Sequence, residues 1–370
     1  MLKFFDKGLC PIGIDAGAHA VRLAQFRTAA EGLTLKAACR VELDSIEQGK
    51  SAAASLGAAV RHALAGEEFG GKRVVLSLPS NVVHSKSVRL PQMPDSDLNQ
   101  ALQWEAKDRF GFEIGDAAGN GAARGTGQLA WFRVGEVRRG TEVKDEILLF
   151  AVEGPVLHEY IEVISDVGLE IVAVDLAPAA IQRSIRRTSG ETPGGTAGFL
   201  DVGHAGSQFF IMRGRDLVFF KQLDIGGKTI NEAVAAKLGI TPLEALQMRA
   251  RIMMENVAEE AGPLAQALRD AMRPPIEEMA KEIDMCMRYY VVTFRGTRPE
   301  GIAVTGRQAA CLQLRETLAN ALGLGIDEAQ PLRGILALGD KARPDRSGEW
   351  AVAAGLSLYP TTVEAKLEAA

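Results

Sequence analysis

Two short runs in this 370-residue chain carry the same chemistry-bearing pattern. Asp15-Ala-Gly17 follows the apolar stretch Ile12-Gly-Ile, and Asp201-Val-Gly203 follows Ala197-Gly-Phe-Leu. Each reads as a strand running into a Gly turn, and a hairpin follows each. Gly lets the backbone come close to a ligand, and the N–H groups of such a turn face phosphate oxygens. An Asp at each strand end can hold a hydrated Mg2+, a hard ion that prefers oxygen. A later strand, Gly301-Ile-Ala-Val-Thr, runs into a third turn at Gly306. Together these residues suit the binding of nucleotide phosphates. On spacing alone, ordinary strand-end turns remain the other reading. His19 and His204 lie in the two loops and with Asp15 and Asp201 would make a transition-metal set; the bland alternative is a pair of solvated loop histidines. Asp175, at another strand end, is either a water-positioning residue or a cap for the next helix.

The elements that must hold these turns follow from apolar periodicity. Runs at 21–26 and 33–43, split by Thr28-Ala-Ala-Glu-Gly32, predict a hairpin after the first Asp. A helix at 51–64 and a buried strand at 73–79, stopped by Pro79, complete an order of strand, strand, strand, helix, strand. Residues 82–90 alternate as a half-buried strand does. A helix capped by Asp95 or Ser96 then carries the stripe Leu98, Ala101, Leu102 and Ala106. Residues 115–129 read as a loop. Strands at 131–137 and 146–152 and a helix at 155–167, closed by Gly168, follow. The segment 82–167 therefore reads as a small inserted α+β subdomain. A strand at 169–175 and a helix with Pro178 near its start lead to a polar linker at 188–195. Beyond it the opening order returns: a strand to Gly203, then a hairpin of 208–212 and 217–223. Two helices open with capping boxes, Thr229-Ile-Asn-Glu232 and Thr241-Pro-Leu-Glu244. A helix burying Ile276, Met279, Ala280, Ile283, Met287 and Tyr290 precedes the strand to Gly306 and a helix at 312–322. The fold class is α/β: two similar lobes, which suggests a cleft between them, with one insertion.

Composition bounds the function. Apolar residues make up 47% and charged residues 24%, an ordinary globular balance. A net charge of −5 argues against a nucleic-acid partner, which normally demands a basic stripe. No stretch approaches the roughly 20 uninterrupted apolar residues of a spanning helix. The first eight residues make a poor signal peptide. Cys10, Cys39, Cys286 and Cys311 are scattered and form no CxxC pair, so they read as reduced thiols of a cytosolic protein.

An ordered set of motifs then resembles a known family. The set is Gly13-Ile-Asp-Ala-Gly17, Val75-Leu-Ser-Leu-Pro79, Arg89-Leu-Pro-Gln-Met-Pro94, Trp104-Glu-Ala106, Leu200-Asp-Val-Gly203 with Ser207, Ile225-Gly-Gly227 and Ala303-Val-Thr-Gly306. It resembles PilM, the actin-like family of type IV pilus assembly, itself similar to the cell-division protein FtsA. The resemblance spans most of the chain and implies an actin-like ATPase fold with ATP and Mg2+ in the central cleft. Asp15 and Gly17 match its first phosphate loop, Asp201, Gly203 and Ser207 its second, and Gly306 its adenosine-side turn, with Asp15 and Asp201 as the carboxylates for the metal. It divides the chain into a first lobe core (1–81, completed by about 168–190 and 335–370), an inserted subdomain (82–167), a second lobe core (196–225 and 300–334) and a helical subdomain (226–299). The family role is scaffolding: PilM binds the short cytoplasmic tail of the membrane protein PilN and so joins the inner-membrane platform proteins. The resemblance thus implies a cytoplasmic protein brought to the membrane by its partner, with self-association as a further expectation.

The chain also departs from the family. Ala18-His-Ala20 lacks the hydroxyl that usually follows the first Gly, Gly306 is followed by Arg307 rather than Gly, Met248-Arg249 stands where a Lys is usual, and Gly111 replaces a Pro. With no hydroxyl and no evident base, hydrolysis is expected to be slow or absent. A sugar kinase or other phosphotransferase of the same superfamily is the enzyme alternative, and it needs an Asp-centred substrate site that the sequence does not reveal. An FtsA-like filament former is the other, and it would reach the bilayer through a basic amphipathic helix that 363–370 lacks. Trp104 falls off the Leu98–Leu102–Ala106 stripe. It is the expected partner-binding residue, beside a groove bordered by 82–90 into which an extended tail could pack.

Overall fold

The fold is taken from a computed structural model, described for residues 8–43, 51–115, 126–139, 142–189, 195–255, 262–335 and 344–360. The segment 363–370 lies outside these residues, as do most of the loop at 115–129 and of the linker at 188–195. In chain order the elements are β1 (Ile12–Ala16), β2 (Ala20–Ala29), β3 (Gly32–Glu42), α1 (Ala52–Gly66), β4 (Arg73–Ser77), β5 (His84–Pro91), α2 (Asp95–Phe110), β6 (Gln128–Arg139), β7 (Glu142–Val152), α3 (Gly154–Asp166), β8 (Glu170–Asp175) and α4 (Ala177–Ser189). They continue with β9 (Thr196–Val202), β10 (Ser207–Arg213), β11 (Asp216–Leu223), α5 (Gly227–Leu238), α6 (Pro242–Glu255), α7 (Pro263–Phe294), β12 (Gly301–Thr305), α8 (Leu312–Leu322), β13 (Gly325–Glu328) and α9 (Ala351–Ser357). The chain divides into two compact units: Met1–Thr188 with Leu332–Ala342 and Val352–Ala370, and Ser189–Pro331 with Arg343–Ala351.

The first unit is built on a sheet of order β3-β2-β1-β4-β8. Period-two alternation puts Ile12, Ile14 and Ala16 on one face of β1 and Gly13 and Asp15 on the other. The first face packs with Leu23, Val74 and Leu76 under Leu56, Val60 and Ala63 of α1 and Tyr160 and Ile164 of α3. The helical end of the segment 82–167 thus shares this core. On the opposite face α9 lies so close that a Cβ on Gly13 would stand 2.1 Å from the Ala353 carbonyl oxygen. The Ser357 hydroxyl fastens that helix, donating to the Pro11 carbonyl at 2.8 Å and accepting the Phe26 N–H at 3.1 Å.

A separate antiparallel sheet of order β5-β7-β6 belongs to the same unit. The α2 stripe Leu98, Leu102 and Ala106 covers Val88, Ile147 and Leu149. Two acids on β7 are buried and met by arginines of the edge strands: Asp145 by Arg133 at 2.9 Å and Glu146 by Arg89 at 2.6 Å.

The second unit repeats the first sheet's plan as β11-β10-β9-β12-β13, three antiparallel strands and then two parallel ones. Its core joins Leu200, Val202, Phe209 and Val304 to Ile230 and Val234 of α5, the Ile276–Met279–Ile283–Met287 stripe of α7, and Leu314 and Leu318 of α8.

Two helix starts differ from the sequence expectation. Pro94, with φ −57°, sits at the cap position of α2 and offers no side-chain acceptor, so Asp95 becomes the first helical residue. There Asp95 and Asp97 act instead through the helix dipole. Helix α5 begins at Gly227 with Gly226 as its cap, so Thr229 is the third helical residue, and its hydroxyl reaches back to the Gly226 N–H at 3.4 Å. The second box forms as the sequence implies: Thr241 accepts the Glu244 N–H at 3.2 Å, and Glu244 accepts the Thr241 N–H at 2.8 Å. Among the described residues, no helix is long and apolar enough to cross a membrane.

Candidate functional site

The first loop joins β1 to β2. The tight turn forces antiparallel register, and that register sets Asp15 opposite Arg22 on β2 and, in parallel, opposite Ser77 on β4. Arg22 Nη1 donates to Asp15 Oδ2 at 3.2 Å, with the two side chains only 11% and 16% exposed. Burial pushes the Asp15 carboxyl above its usual range, and the Arg22 guanidinium pulls it back. Gly17 is required by space: a Cβ there would stand 2.7 Å from the Ala20 carbonyl oxygen.

The second unit brings Asp201, Gly203, Ser207 and Gly306 together. Parallel pairing of β9 with β12 sets Asp201 opposite Thr305, whose hydroxyl donates to Asp201 Oδ1 at 2.9 Å. Gly306 then turns with φ +81°, and a Cβ would lie 2.5 Å from the Val202 carbonyl oxygen and 3.0 Å from Asp201 Oδ1. Only Gly meets both demands. Gly203 donates its N–H to the Gly206 carbonyl at 3.1 Å, closing the loop on itself. The start of α5 is folded against that loop, since Gly227 N–H and Lys228 N–H donate to the Gly203 and His204 carbonyls at 2.9 and 2.8 Å. Ser207 is buried, and its hydroxyl donates to the Ile225 carbonyl at 2.6 Å. Its work in this structure is to fix the chain entering Gly226.

Sequence reading missed the group that braces this loop. Arg249 on α6 is 2% exposed. It donates to the Gly227 carbonyl at 3.3 Å, to Asn231 Oδ1 and, at 2.5 Å, to Gln308 Oε1 two residues past Gly306. Burial lowers its affinity for a proton from the usual arginine range. The signal in the sequence was Met248-Arg249 standing where the family usually carries a Lys, which marks the position without showing what the arginine holds.

Other candidates settle into structural roles. Asp175 accepts the Leu176 N–H at 2.8 Å and pairs with Arg183, which also lies over the Tyr359 ring. Its carboxylate is thus engaged just before α4, by the next residue's N–H and by Arg183, and among the described residues it makes no bond to the first turn of that helix. Trp104 is 73% exposed, off the buried stripe of α2. Among the described residues, no three His, Cys, Asp or Glu side chains come together as a metal-binding group. The two expected magnesium carboxylates are moreover already engaged, Asp15 by a guanidinium and Asp201 by a hydroxyl. Mg2+ demands a near-ideal octahedron of oxygens. At Asp15 such an ion would have to meet the Arg22 guanidinium.

Two sheets of one strand order, each with an Asp-x-Gly turn closing its first strand, define an actin-like fold. The chain matches a solved structure described as the PilM-PilN type IV pilus biogenesis complex with a TM-score of 0.73, at 20% identity, over 94% of this chain and 97% of that one. It also matches the ethanolamine utilization protein EutJ from Carboxydothermus hydrogenoformans with a TM-score of 0.54, at 12% identity, over 95% and 90% of the two chains. The sequence profile of type IV pilus assembly protein PilM matches residues 13–360, and the chain belongs to that family. A comparison with curated proteins found no match.

Proposed function

We propose that this chain is a nucleotide-binding scaffold of a type IV pilus or related secretion platform. In this reading it takes ATP through Asp15 and Gly17 of the first loop and Asp201, Gly203 and Gly306 of the second, with Ser207 holding the second loop's shape. The observation that carries the nucleotide reading is that the ends of β9 and β12 bring Asp201, Gly203 and Gly306 together at one pair of strand-end turns, the residues expected of a second phosphate loop and its neighbouring turn. Family membership supports the pilus role. The likeness to the PilM–PilN complex supports a PilN-like membrane partner. The chain works on the cytoplasmic side of the inner membrane, held there by that partner's tail, alongside other platform proteins and further copies of itself. β5 is an edge strand of its sheet, so an extended tail can add to it through backbone hydrogen bonds, and Trp104 is an exposed aromatic on the neighbouring helix.

Calorimetric titration of ATP and of the partner's cytoplasmic peptide into the whole chain tests both halves. ATP at about 100 times its Kd should stabilise the fold by about 2.7 kcal/mol. No heat and no thermal stabilisation with ATP sinks the nucleotide half. Failure of the peptide to bind sinks the scaffold half.

A further inference from the structure

The internal repeat places the same acid in two different electrostatic settings. Across the β9–β10 ladder, Asp201 faces Gln208. Across the β1–β2 ladder, Asp15 faces Arg22. The first loop thus sets a guanidinium directly across the ladder from its acid. Arg22 Nη1 is 3.2 Å from Asp15 Oδ2 and 3.6 Å from where a Cβ on Gly17 would stand. One cation therefore covers both the carboxylate and the turn meant for phosphate. A guanidinium keeps its proton in proteins, so this charge is permanent. Its planar fork matches phosphate oxygens as well as carboxylate oxygens. A hydrated Mg2+ on Asp15 would have to displace this arginine or sit beside its positive charge. Neither is favourable where both side chains are largely out of water.

We propose that the Asp15–Arg22 pair stands in place of a divalent cation at the first loop, so that the chain binds its nucleotide without a metal. The nucleotide's phosphate charge is met by Arg22, which exchanges one Asp15 contact for a phosphate contact. This inference rests on the nucleotide reading above.

The test is calorimetry of ATP into the whole chain, once in excess EDTA and once in millimolar Mg2+. In the wild type the two Kd values should agree within about threefold, because no strong charge-assisted contact to a metal is gained. Asp15→Asn should tighten binding in EDTA by about threefold or more, since phosphate no longer competes with a carboxylate for Arg22. Arg22→Gln should weaken binding in EDTA by about tenfold or more, the worth of one hydrogen bond to a charged group. It should also become magnesium-dependent, because Asp15 is freed. Arg22→Lys keeps the charge on the same strand and should lose less in EDTA than Arg22→Gln, which separates charge from folding. A wild type that needs Mg2+ for more than about a tenfold gain, or an Asp15→Asn variant that loses affinity, overturns the inference while sparing the nucleotide reading. Failure of ATP to bind the wild type in either buffer overturns both.

Discussion

Removing the guanidinium of Arg249 should unlock the second unit. Arg249→Met keeps the length and the apolar stem but leaves three buried acceptors behind: the Gly227 carbonyl, Asn231 Oδ1 and Gln308 Oε1. Asn231 and Gln308 are themselves buried, so water cannot readily replace the lost donor. Each buried acceptor left unpaired costs about 1–3 kcal/mol. Against that, removing a desolvated charge returns a few kcal/mol. The balance is a loss of about 3 kcal/mol, the low end for breaking a buried charged network. In a unit of this size each kcal/mol shifts the melting temperature by about 2–4 °C, so the second unit's transition should fall by about 6–12 °C. Differential scanning calorimetry of the whole chain reads this directly. Arg249→Lys should recover only part of the loss, because an ammonium cannot span three acceptors with a fixed fork. A melting profile for Arg249→Met within about 1 °C of wild type would refute the bracing argument.

Other perturbations have equally definite outcomes. Gly306→Ala forces a Cβ to within 2.5 Å of the Val202 carbonyl oxygen at a left-handed φ, so it should cost at least about 2 kcal/mol by chemical denaturation and weaken ATP binding. The Thr241 amide and hydroxyl hold the Glu244 carboxyl below its usual range, so its cap is fully present above the ordinary glutamate pKa and is lost as pH falls through the folded value. The melting difference between wild type and Glu244→Ala, present at neutral pH, should therefore vanish in strong acid. Burial pushes the Cys286 thiol up to about 11. At pH 8 about one molecule in a thousand carries the thiolate, so iodoacetamide should spare Cys286 until the chain unfolds, as peptide mapping will show. Trp104→Ala should leave the melting temperature unchanged, since the side chain is exposed, yet weaken binding of the partner's tail by at least about 1 kcal/mol. Equal peptide affinities would clear Trp104 of that role.

The repeat was readable because period-two apolar runs and Gly turns recur in the same order on both sides of the linker. Register was not. Asp15 and Arg22 are seven positions apart, and only the hairpin's pairing makes them neighbours. Thr305 and Asp201 are separated by a hundred residues, and nothing in their spacing announces that they meet. The apolar stripe legible in the sequence starts at Ile276, whereas α7 runs from Pro263 and continues through Pro274-Pro275. Its buried Leu268, Ala271 and Met272 hold the earlier turns against the core, and this packing outweighs the two missing donors. The short strand Gly325–Glu328 went unseen because four residues hold too little periodicity to detect.

The fastening of α9 onto β1 also has a bearing on how the chain is made. The Ser357 hydroxyl bridges Phe26 and Pro11, positions 331 and 346 residues earlier. Gly355 in the same helix lies against the Ala180 carbonyl with no space for a side chain. The sheet built on β1 therefore lacks one of its two covering layers until α9, the last described helix, has been synthesised. The second unit, drawn mostly from one continuous stretch, has its own core in hand earlier. At about 5–20 residues per second, the β1 backbone waits tens of seconds with its Gly13 face uncovered. The β1 sheet is thus completed only after the second unit's core residues have been made, although its own strands precede them in the chain.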